Sequence, residues 1–308
     1  MNRTLVIGSR GSKLALFQSE QARQRLLELN PGREIRIEII KTTGDVKSEP
    51  LTVIGGKGVF TKELEDALID RRIDIAVHSL KDLPTVLPAQ LTIGAICERE
   101  DPRDALVLRR EITGSRQSLQ ELPAHAIVGT SSQRRIAQLK SLRADVVIRD
   151  LRGNVDTRLR KLDEGQYDAL ILASAGLKRL GLAERITAAI SIDDMLPAVG
   201  QGAVAIESRK DDHETLKVVG NLDHPETRVA CLAERSLLRA LGGGCQLPIA
   251  GYAVVNDDVL NLTGLVASQD GAKVLRDQIS GSTDDAEGLG IALGDKLLSR
   301  GADSLLQN

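Results

Sequence analysis

The order of apolar and polar residues in the first third of the chain predicts alternating strands and helices. Residues 5–7 are a short apolar run typical of a buried strand, and a helical period follows over 12–29. Apolar and polar residues alternate over 34–41, which predicts a second strand. A helix over 60–71 and a strand over 73–77 complete an order that is typical of an α/β domain.

The middle third of the chain repeats this order of elements. Residues 126–132 form an apolar run followed by a glycine, small hydroxyl residues and a helical period, as residues 5–10 do. Residues 168–174 match residues 74–79 in the same way. The repeat predicts two α/β domains of similar design. Because a strand-to-helix turn with small polar residues presents N–H groups and the positive end of a helix dipole, we expect anions to bind between them.

The last third has a different pattern, which predicts a small α+β domain. An amphipathic helix over 224–241 ends at three consecutive glycines, residues 242–244. The elements after it are a hairpin of strands 252–255 and 259–266, a third strand over 274–279 and a final helix over 284–300.

Residues 42–58 have little periodicity and contain four glycines and one proline. We interpret them as a long mobile loop, and such loops in compact domains often act as functional lids. The segment Gly55-Gly56-Lys57-Gly58 lacks the spacing of a P-loop, so it does not establish nucleotide binding.

Composition limits the class of protein. The 308 residues are 42% hydrophobic and 1% aromatic with no Trp, so Leu, Ile, Val and Ala must build the cores of two or three domains. The scarcity of aromatic side chains argues against binding of single-stranded nucleic acid. The sequence shows no secretory signal and no apolar run of the roughly 20 residues that a membrane span needs. We therefore expect a cytoplasmic protein with no nucleic-acid or membrane partner.

Positive charge is concentrated in the middle of the chain. Residues 103–185 carry 16 Lys and Arg against 10 Asp and Glu, whereas the whole chain has a net charge of -2. The arginines at strand ends or glycine turns, with one from the first domain, are Arg10, Arg134, Arg135, Arg149, Arg152, Arg158 and Arg179. Guanidinium groups bind carboxylates through two parallel bonds, so this pattern predicts a small polycarboxylate or polyphosphate ligand. The alternative is a set of solvated helix faces.

A Lys–Asp pair follows the predicted strand 73–77. Lys81 and Asp82 lie in the segment His78-Ser79-Leu80-Lys81-Asp82-Leu83-Pro84, where side chains of an α/β sheet face the usual ligand crevice. Together they could bind an anion and transfer a proton. The alternative is an exposed turn whose charges are solvated.

Cys245 follows the three glycines and precedes Gln246-Leu247-Pro248, so its thiol is expected in an accessible loop. Cys97 and Cys231 are expected to be buried and inert. Three distant cysteines give neither a disulfide framework nor metal-ligand spacing, and the four histidines are scattered, so no metal site is expected. A thiol with no special role is the alternative for Cys245.

Taken together, these residues resemble the porphobilinogen deaminase family along nearly the whole chain. Phe17 is a departure, because many relatives are expected to carry Trp there. The segments that carry the resemblance are residues 8–16, 41–45, 55–58, 78–84, 97–104, 129–135, 151–155, 197–202 and 243–246.

The resemblance implies a fold and a reaction. The fold is two α/β domains like the halves of a type II periplasmic binding protein, plus a small α+β domain. The domains would cover residues 1–102 with 198–220, residues 103–197, and residues 221–308. In the reaction, four porphobilinogen molecules condense head to tail with loss of ammonia and give hydroxymethylbilane, a linear tetrapyrrole on the route to haem. The primer is a covalent dipyrromethane cofactor, one per chain.

The resemblance also implies residue roles. Asp82 is the expected catalytic residue, and Cys245 carries the cofactor through a thioether. The other expected cofactor-binding residues are Ser79, Lys81, Ser131, Ser132, Arg134, Arg135, Arg152 and Gly243. The expected substrate-binding residues are Arg10, Ser12, Lys57, Arg158, Arg179 and Gln201. The expected partner is a small anionic pyrrole, and the protein is expected to be a monomer. Two other classes stay open, a non-catalytic anion-binding protein and a transferase with a cysteine nucleophile.

Overall fold

The computed structural model describes residues 3–43, 61–112, 118–244 and 247–306. Its strands are β1 Leu5–Ser9, β2 Ile35–Ile39, β3 Ile75–Ser79, β4 Leu91–Ile96, β5 Asp104–Leu108, β6 Ile127–Gly129, β7 Val147–Arg149, β8 Ala169–Ala173, β9 Ala188–Ala189, β10 Val204–Arg209, β11 Ile249–Asn256, β12 Val259–Ala267 and β13 Val274–Ser282. Its helices are α1 Lys13–Leu29, α2 Lys62–Ile69, α3 Gln133–Leu142, α4 Val155–Asp163, α5 Ser174–Arg179, α6 His213–Val219, α7 Pro225–Ala240, α8 Ala286–Ser299 and α9 Ala302–Leu306. Most of the predicted loop 42–58, from residue 44 onward, lies outside the described residues.

The chain forms two compact units. One comprises Met1–Glu100 and Ala203–Arg228, and the other comprises Asp101–Gly202 and Val229–Asn308. The exact boundaries of the three predicted domains stay a prediction.

The first unit is built on a five-stranded sheet with the order β2-β1-β3-β10-β4. Strand β1 is parallel to β2 and β3, whereas β10 is antiparallel to both β3 and β4. Buried side chains pack on both faces, with Leu26 of α1 in one cluster and Leu64 and Leu68 of α2 in another. A sheet that is covered on both faces explains why its strands are apolar runs.

The second unit contains a sheet of the same design, with the order β7-β6-β8-β5-β9. Strand β6 is parallel to β7 and β8, and β5 is antiparallel to β8 and β9. The same unit holds a three-stranded antiparallel sheet, β11-β12-β13, whose core includes Leu237 of α7 and Leu293 of α8. These sheets confirm the predicted fold class of two similar α/β domains plus a small α+β domain.

Candidate active site

In the first unit, predicted site residues follow β1 and β3, which end at the same edge of the sheet because they are parallel neighbours. Ser12 caps α1, and its Oγ accepts a hydrogen bond from the N–H of Ala15 at 3.3 Å. Gln18 of the same helix donates through Nε2 to Ser79 Oγ at 3.0 Å, which ties α1 to the end of β3. The structure therefore brings Arg10, Ser12 and Ser79 to one edge.

Lys81 and Asp82 lie on a rigid turn at that edge. Residues Leu80–Asp82 form a single 3-10 turn directly after β3. The flanking side chains of Leu80 and Leu83 are buried, and the Leu80 N–H donates to the Ala203 carbonyl at 3.0 Å. Lys81 is half-buried and Asp82 is exposed. The leucines thus fix the backbone and leave the Asp82 carboxylate accessible to a ligand.

In the second unit, the ends of β6 and β7 are joined by one side chain. Ser131 Oγ donates to the Leu151 carbonyl at 2.8 Å and accepts from the Leu151 N–H at 2.9 Å. Arg152 follows Leu151, and Arg158 of α4 donates through Nε to the Gly153 carbonyl at 2.7 Å. Three predicted anion-binding residues, Ser131, Arg152 and Arg158, are therefore brought together at the carboxyl edge of this sheet. Ser132 lies at the same edge, as the residue before α3.

Arg134 and Arg135 are buried at the start of α3 and share one carboxylate, that of Asp104 on β5. Arg134 Nη1 donates to Asp104 Oδ2 at 2.7 Å and to the Leu196 carbonyl at 2.7 Å. Arg135 Nη2 donates to Asp104 Oδ1 at 2.7 Å, and its Nη1 donates to the Ile171 carbonyl at 2.9 Å. The two guanidinium groups are thus held inside the unit by protein acceptors.

The Asp104 carboxylate stays ionised in this cluster. Burial raises the pKa of Asp104, but the charges of Arg134 and Arg135 outweigh burial and hold the pKa well below its ordinary value. Sequence reasoning missed this residue. A signal was available, because an acid at the start of an otherwise apolar strand needs a buried partner.

Two further predicted residues lie near this cluster. Gln201 is buried, and its Nε2 donates to Asp104 Oδ1 at 2.9 Å and to the Pro102 carbonyl at 2.7 Å. Arg179 at the end of α5 is half-buried and donates through Nη2 to the Gly202 carbonyl at 2.7 Å. Gln201 therefore extends the buried network, and Arg179 holds the adjacent backbone.

The glycines before Cys245 end helix α7 in a Schellman motif. Gly242 has φ of 63°, its N–H donates to the Arg239 carbonyl, and the Gly243 N–H donates to the Leu238 carbonyl. A Cβ at Gly243 would lie 2.4 Å from Ile249 Cδ1, so only glycine fits there without a shift. Cys245 itself lies outside the described residues.

Lys57, a predicted substrate-binding residue, also lies outside the described residues. The other two cysteines are described: Cys231 is buried as predicted, whereas Cys97 is only half-buried and packs at the edge of a core cluster. Within the described ranges, no helix is long and apolar enough to cross a membrane. Nor do the same ranges contain a group of three or more His, Cys, Asp or Glu side chains that could hold a metal ion.

Comparison with protein families decides between the classes left open by the sequence. A family model described as "Porphobilinogen deaminase, dipyromethane cofactor binding domain" matches residues 5–217, and one described as "Porphobilinogen deaminase, C-terminal domain" matches residues 228–299. The chain belongs to the porphobilinogen deaminase family. Membership confirms the expected enzyme class, a transferase of tetrapyrrole biosynthesis, and the expected dipyrromethane cofactor.

Curated relatives match over nearly the whole chain. A porphobilinogen deaminase of Syntrophobacter fumaroxidans is 49% identical over 307 residues, which are 99% of this chain and 98% of that protein. One of Roseiflexus sp. is 50% identical over 307 residues, covering 99% of each chain. Among solved structures, the second substrate-binding domain of a putative amino acid ABC transporter from Streptococcus pneumoniae matches 78% of this chain and 95% of its own, with a TM-score of 0.47 and 14% identity. That last similarity carries no functional argument.

The described residues fit the chemistry of a dipyrromethane of this family, whose pyrroles bear carboxylate side chains. The edge formed after β6 and β7 offers the guanidinium groups of Arg152 and Arg158 and the hydroxyl groups of Ser131 and Ser132. All of these are hydrogen-bond donors, and two carry the positive charge that carboxylates require. Ser174, the residue directly after the neighbouring strand β8, has a buried Oγ that bonds to no other atom of the described residues.

Proposed function

We propose that the protein condenses four porphobilinogen molecules head to tail and releases the linear tetrapyrrole hydroxymethylbilane by hydrolysis. One observation carries the proposal. The family's cofactor-binding and C-terminal domains match residues 5–217 and 228–299, and these two ranges contain every predicted site residue. When bound through a thioether to Cys245, the dipyrromethane supplies the primer that is extended and retained. Cys245 is then a permanent anchor rather than a nucleophile that is released in every turnover.

Each condensation replaces one C–N bond with one C–C bond. A C–C bond forms between the aminomethyl carbon of the incoming pyrrole and the terminal α-carbon of the chain. The C–N bond of the aminomethyl group breaks, and ammonia and the α-proton leave. After four additions, one water molecule cleaves the product from the primer.

Asp82 suits the charge that develops in this reaction. Positive charge grows on the incoming pyrrole as ammonia departs, and a fixed carboxylate stabilises it without reorganisation during the step. Asp82 is exposed on a turn that two buried leucines fix, so it is available to stabilise this charge and to take up the proton.

The cationic residues have a different task, since each pyrrole brings an acetate and a propionate. Arg152 and Arg158 lie at a sheet edge and suit direct binding of these carboxylates. Arg134 and Arg135 are buried and share the single carboxylate of Asp104, so this cluster keeps a net charge of about +1, and its direct contact with cofactor carboxylates stays a prediction. The roles of Arg10, Ser12, Lys57, Ser79, Lys81, Arg179, Gln201 and Gly243 stay predictions, as do the monomeric state and the cytoplasmic location.

Intact-protein mass tests the proposal. The purified protein is expected to carry the added mass of two linked pyrroles, and peptide mapping should locate it on Cys245. Cys245→Ser should lack the adduct and the activity. Cys231→Ala is the matched control, because Cys231 is buried, and it should keep both.

Two outcomes would overturn the proposal. An unmodified Cys245 in protein that still consumes porphobilinogen would favour a cysteine-nucleophile transferase. An unmodified protein that binds porphobilinogen without releasing ammonia would favour a non-catalytic binding protein.

A further inference from the structure

One carboxylate of the protein itself lies among the predicted ligand-binding residues of the second unit. Arg152 Nε donates to Asp150 Oδ2 at 2.8 Å. Burial raises the pKa of Asp150, but the nearby Ser131 hydroxyl, the hydrogen bond and charge of Arg152 and the charge of Arg158 outweigh burial and hold the pKa below its ordinary value. Three residues expected to hold ligand carboxylates therefore act on a carboxylate that is already present and ionised.

The backbone fixes this carboxylate in place. The Tyr167 hydroxyl donates to the Asp150 carbonyl at 2.7 Å, and the next residue, Leu151, is fully buried and bonded through its N–H to Ser131 Oγ at 2.9 Å. The Asp150 side chain is nevertheless 61% exposed, so a ligand can reach the same guanidinium group. Asp150 thus presents its charge from a backbone segment that is held by two hydrogen bonds.

We propose that Asp150 competes with ligand carboxylates for Arg152 and so sets the affinity of this subsite. A ligand carboxylate that binds this guanidinium must displace the Asp150 carboxylate or bind beside it against like-charge repulsion. The competition lowers the affinity of this subsite for anionic pyrroles. It also gives Arg152 a partner whenever a ligand carboxylate leaves. The identity of the ligand rests on the proposed function, whereas competition for the guanidinium does not.

Competition and an orienting role predict opposite changes in carboxylate affinity when the charge of Asp150 is removed. If Asp150 competes, removing its charge strengthens binding of carboxylates. If Asp150 instead holds Arg152 in the orientation that the ligand needs, removing its charge weakens binding. The Asp150→Asn variant keeps the size of the side chain and separates the two cases.

The enzyme assay compares KM for porphobilinogen in holoenzyme. Asp150→Asn should lower KM by between about twofold and fivefold, the range expected for an exposed ion pair, and should steepen the rise of KM with salt. Asp150→Glu keeps the charge and should stay near the wild-type value. Asp163→Asn is the matched control, because Asp163 lies at the other end of α4 and pairs with Arg185 at 2.7 Å, and it should leave KM unchanged.

A binding measurement independent of turnover completes the test. Calorimetric titration with succinate, a simple dicarboxylate probe, should show tighter binding to Asp150→Asn than to the wild type or Asp163→Asn. Equal or weaker succinate binding by Asp150→Asn, or an unchanged or raised KM, would overturn the proposal. If the wild type neither carries the pyrrole adduct nor consumes porphobilinogen, the proposed function fails, and the succinate titration still decides the role of Asp150.

Discussion

Replacing Asp104 with Asn would expose how the buried arginine pair depends on one carboxylate. The substitution keeps the shape of the side chain and removes its charge. Arg134 and Arg135 are 4% and 6% exposed, so neither guanidinium group can recover its lost partner by turning to water. Their remaining protein acceptors include two backbone carbonyls, of Leu196 and Ile171, which carry no full charge.

The expected loss of stability is large. Removing one partner of a buried ion pair costs about 3–5 kcal/mol, because an uncompensated charge stays buried. Asp104 has two cationic partners and a further bond from Gln201 at 2.9 Å, so we expect the upper part of that range. Removing one of the two charges as well should restore part of the loss, and Asp104→Asn with Arg135→Met should therefore be more stable than Asp104→Asn alone.

Urea denaturation at pH 7, followed by circular dichroism, measures the effect as a shift of the transition midpoint at constant slope. Asp101→Asn is the control, because Asp101 also pairs with Arg103 and Lys178 but at more exposed positions. If Asp104→Asn lost no more stability than Asp101→Asn, or if the double variant were the less stable of the two, the account of a charge-balanced buried cluster would be wrong.

Three further outcomes are expected. Asp82→Asn should keep the cofactor yet slow the chemical step by a factor of about 10²–10³, while Asp82→Glu should retain more activity. Single-turnover kinetics on variants of verified mass would measure this difference. Equal rates for the wild type and Asp82→Asn would remove Asp82 from the mechanism. Gly243→Ala should cost about 1–3 kcal/mol in urea denaturation. Gly244→Ala should be neutral apart from backbone effects, because among the described residues that are not its chain neighbours no atom lies within 4 Å of the new Cβ. Burial raises the pKa of Asp101, but bonds from Arg103 and Lys178 lower it from 3.8 to about 2, so it should stabilise the fold fully above pH 4 and lose that contribution as pH falls toward 2. The loss, about 1 kcal/mol after solvent screening, should be absent in Asp101→Asn.

The pattern of apolar residues predicted the strands and helices whose buried side chains are apolar. It failed for β10, in which every residue is buried although Glu207, Ser208 and Arg209 are polar. Glu207 bonds to His78 at 3.0 Å and Arg209 bonds to Asp74 at 3.0 Å. These partners lie far away in sequence, so no local pattern could reveal that the strand is internal.

The candidate site was also predicted only in part from the sequence. The turn signals after β1, β3, β6 and β7 predicted which residues share a sheet edge, because parallel neighbours end together. What the sequence did not predict is the pairing of charges. Arg134 and Arg152 look alike in the sequence, yet the first is buried against Asp104 and the second is half-exposed beside Asp150. Only the three-dimensional structure distinguishes an internal ion pair from a surface one.

The position of β10 within the first sheet has a consequence for biosynthesis. Among the described strands, β4 pairs with β10 alone in that sheet, and β10 also pairs with the side of β3 that faces away from β1. A nascent chain that has emerged only as far as Gly202 lacks β10, so the sides of β3 and β4 that pair with β10 in the folded protein are both without a partner. Such edges are templates for wrong pairing, so ribosome-associated chaperones would have their greatest effect in this interval. A chain ending before Val204 should aggregate.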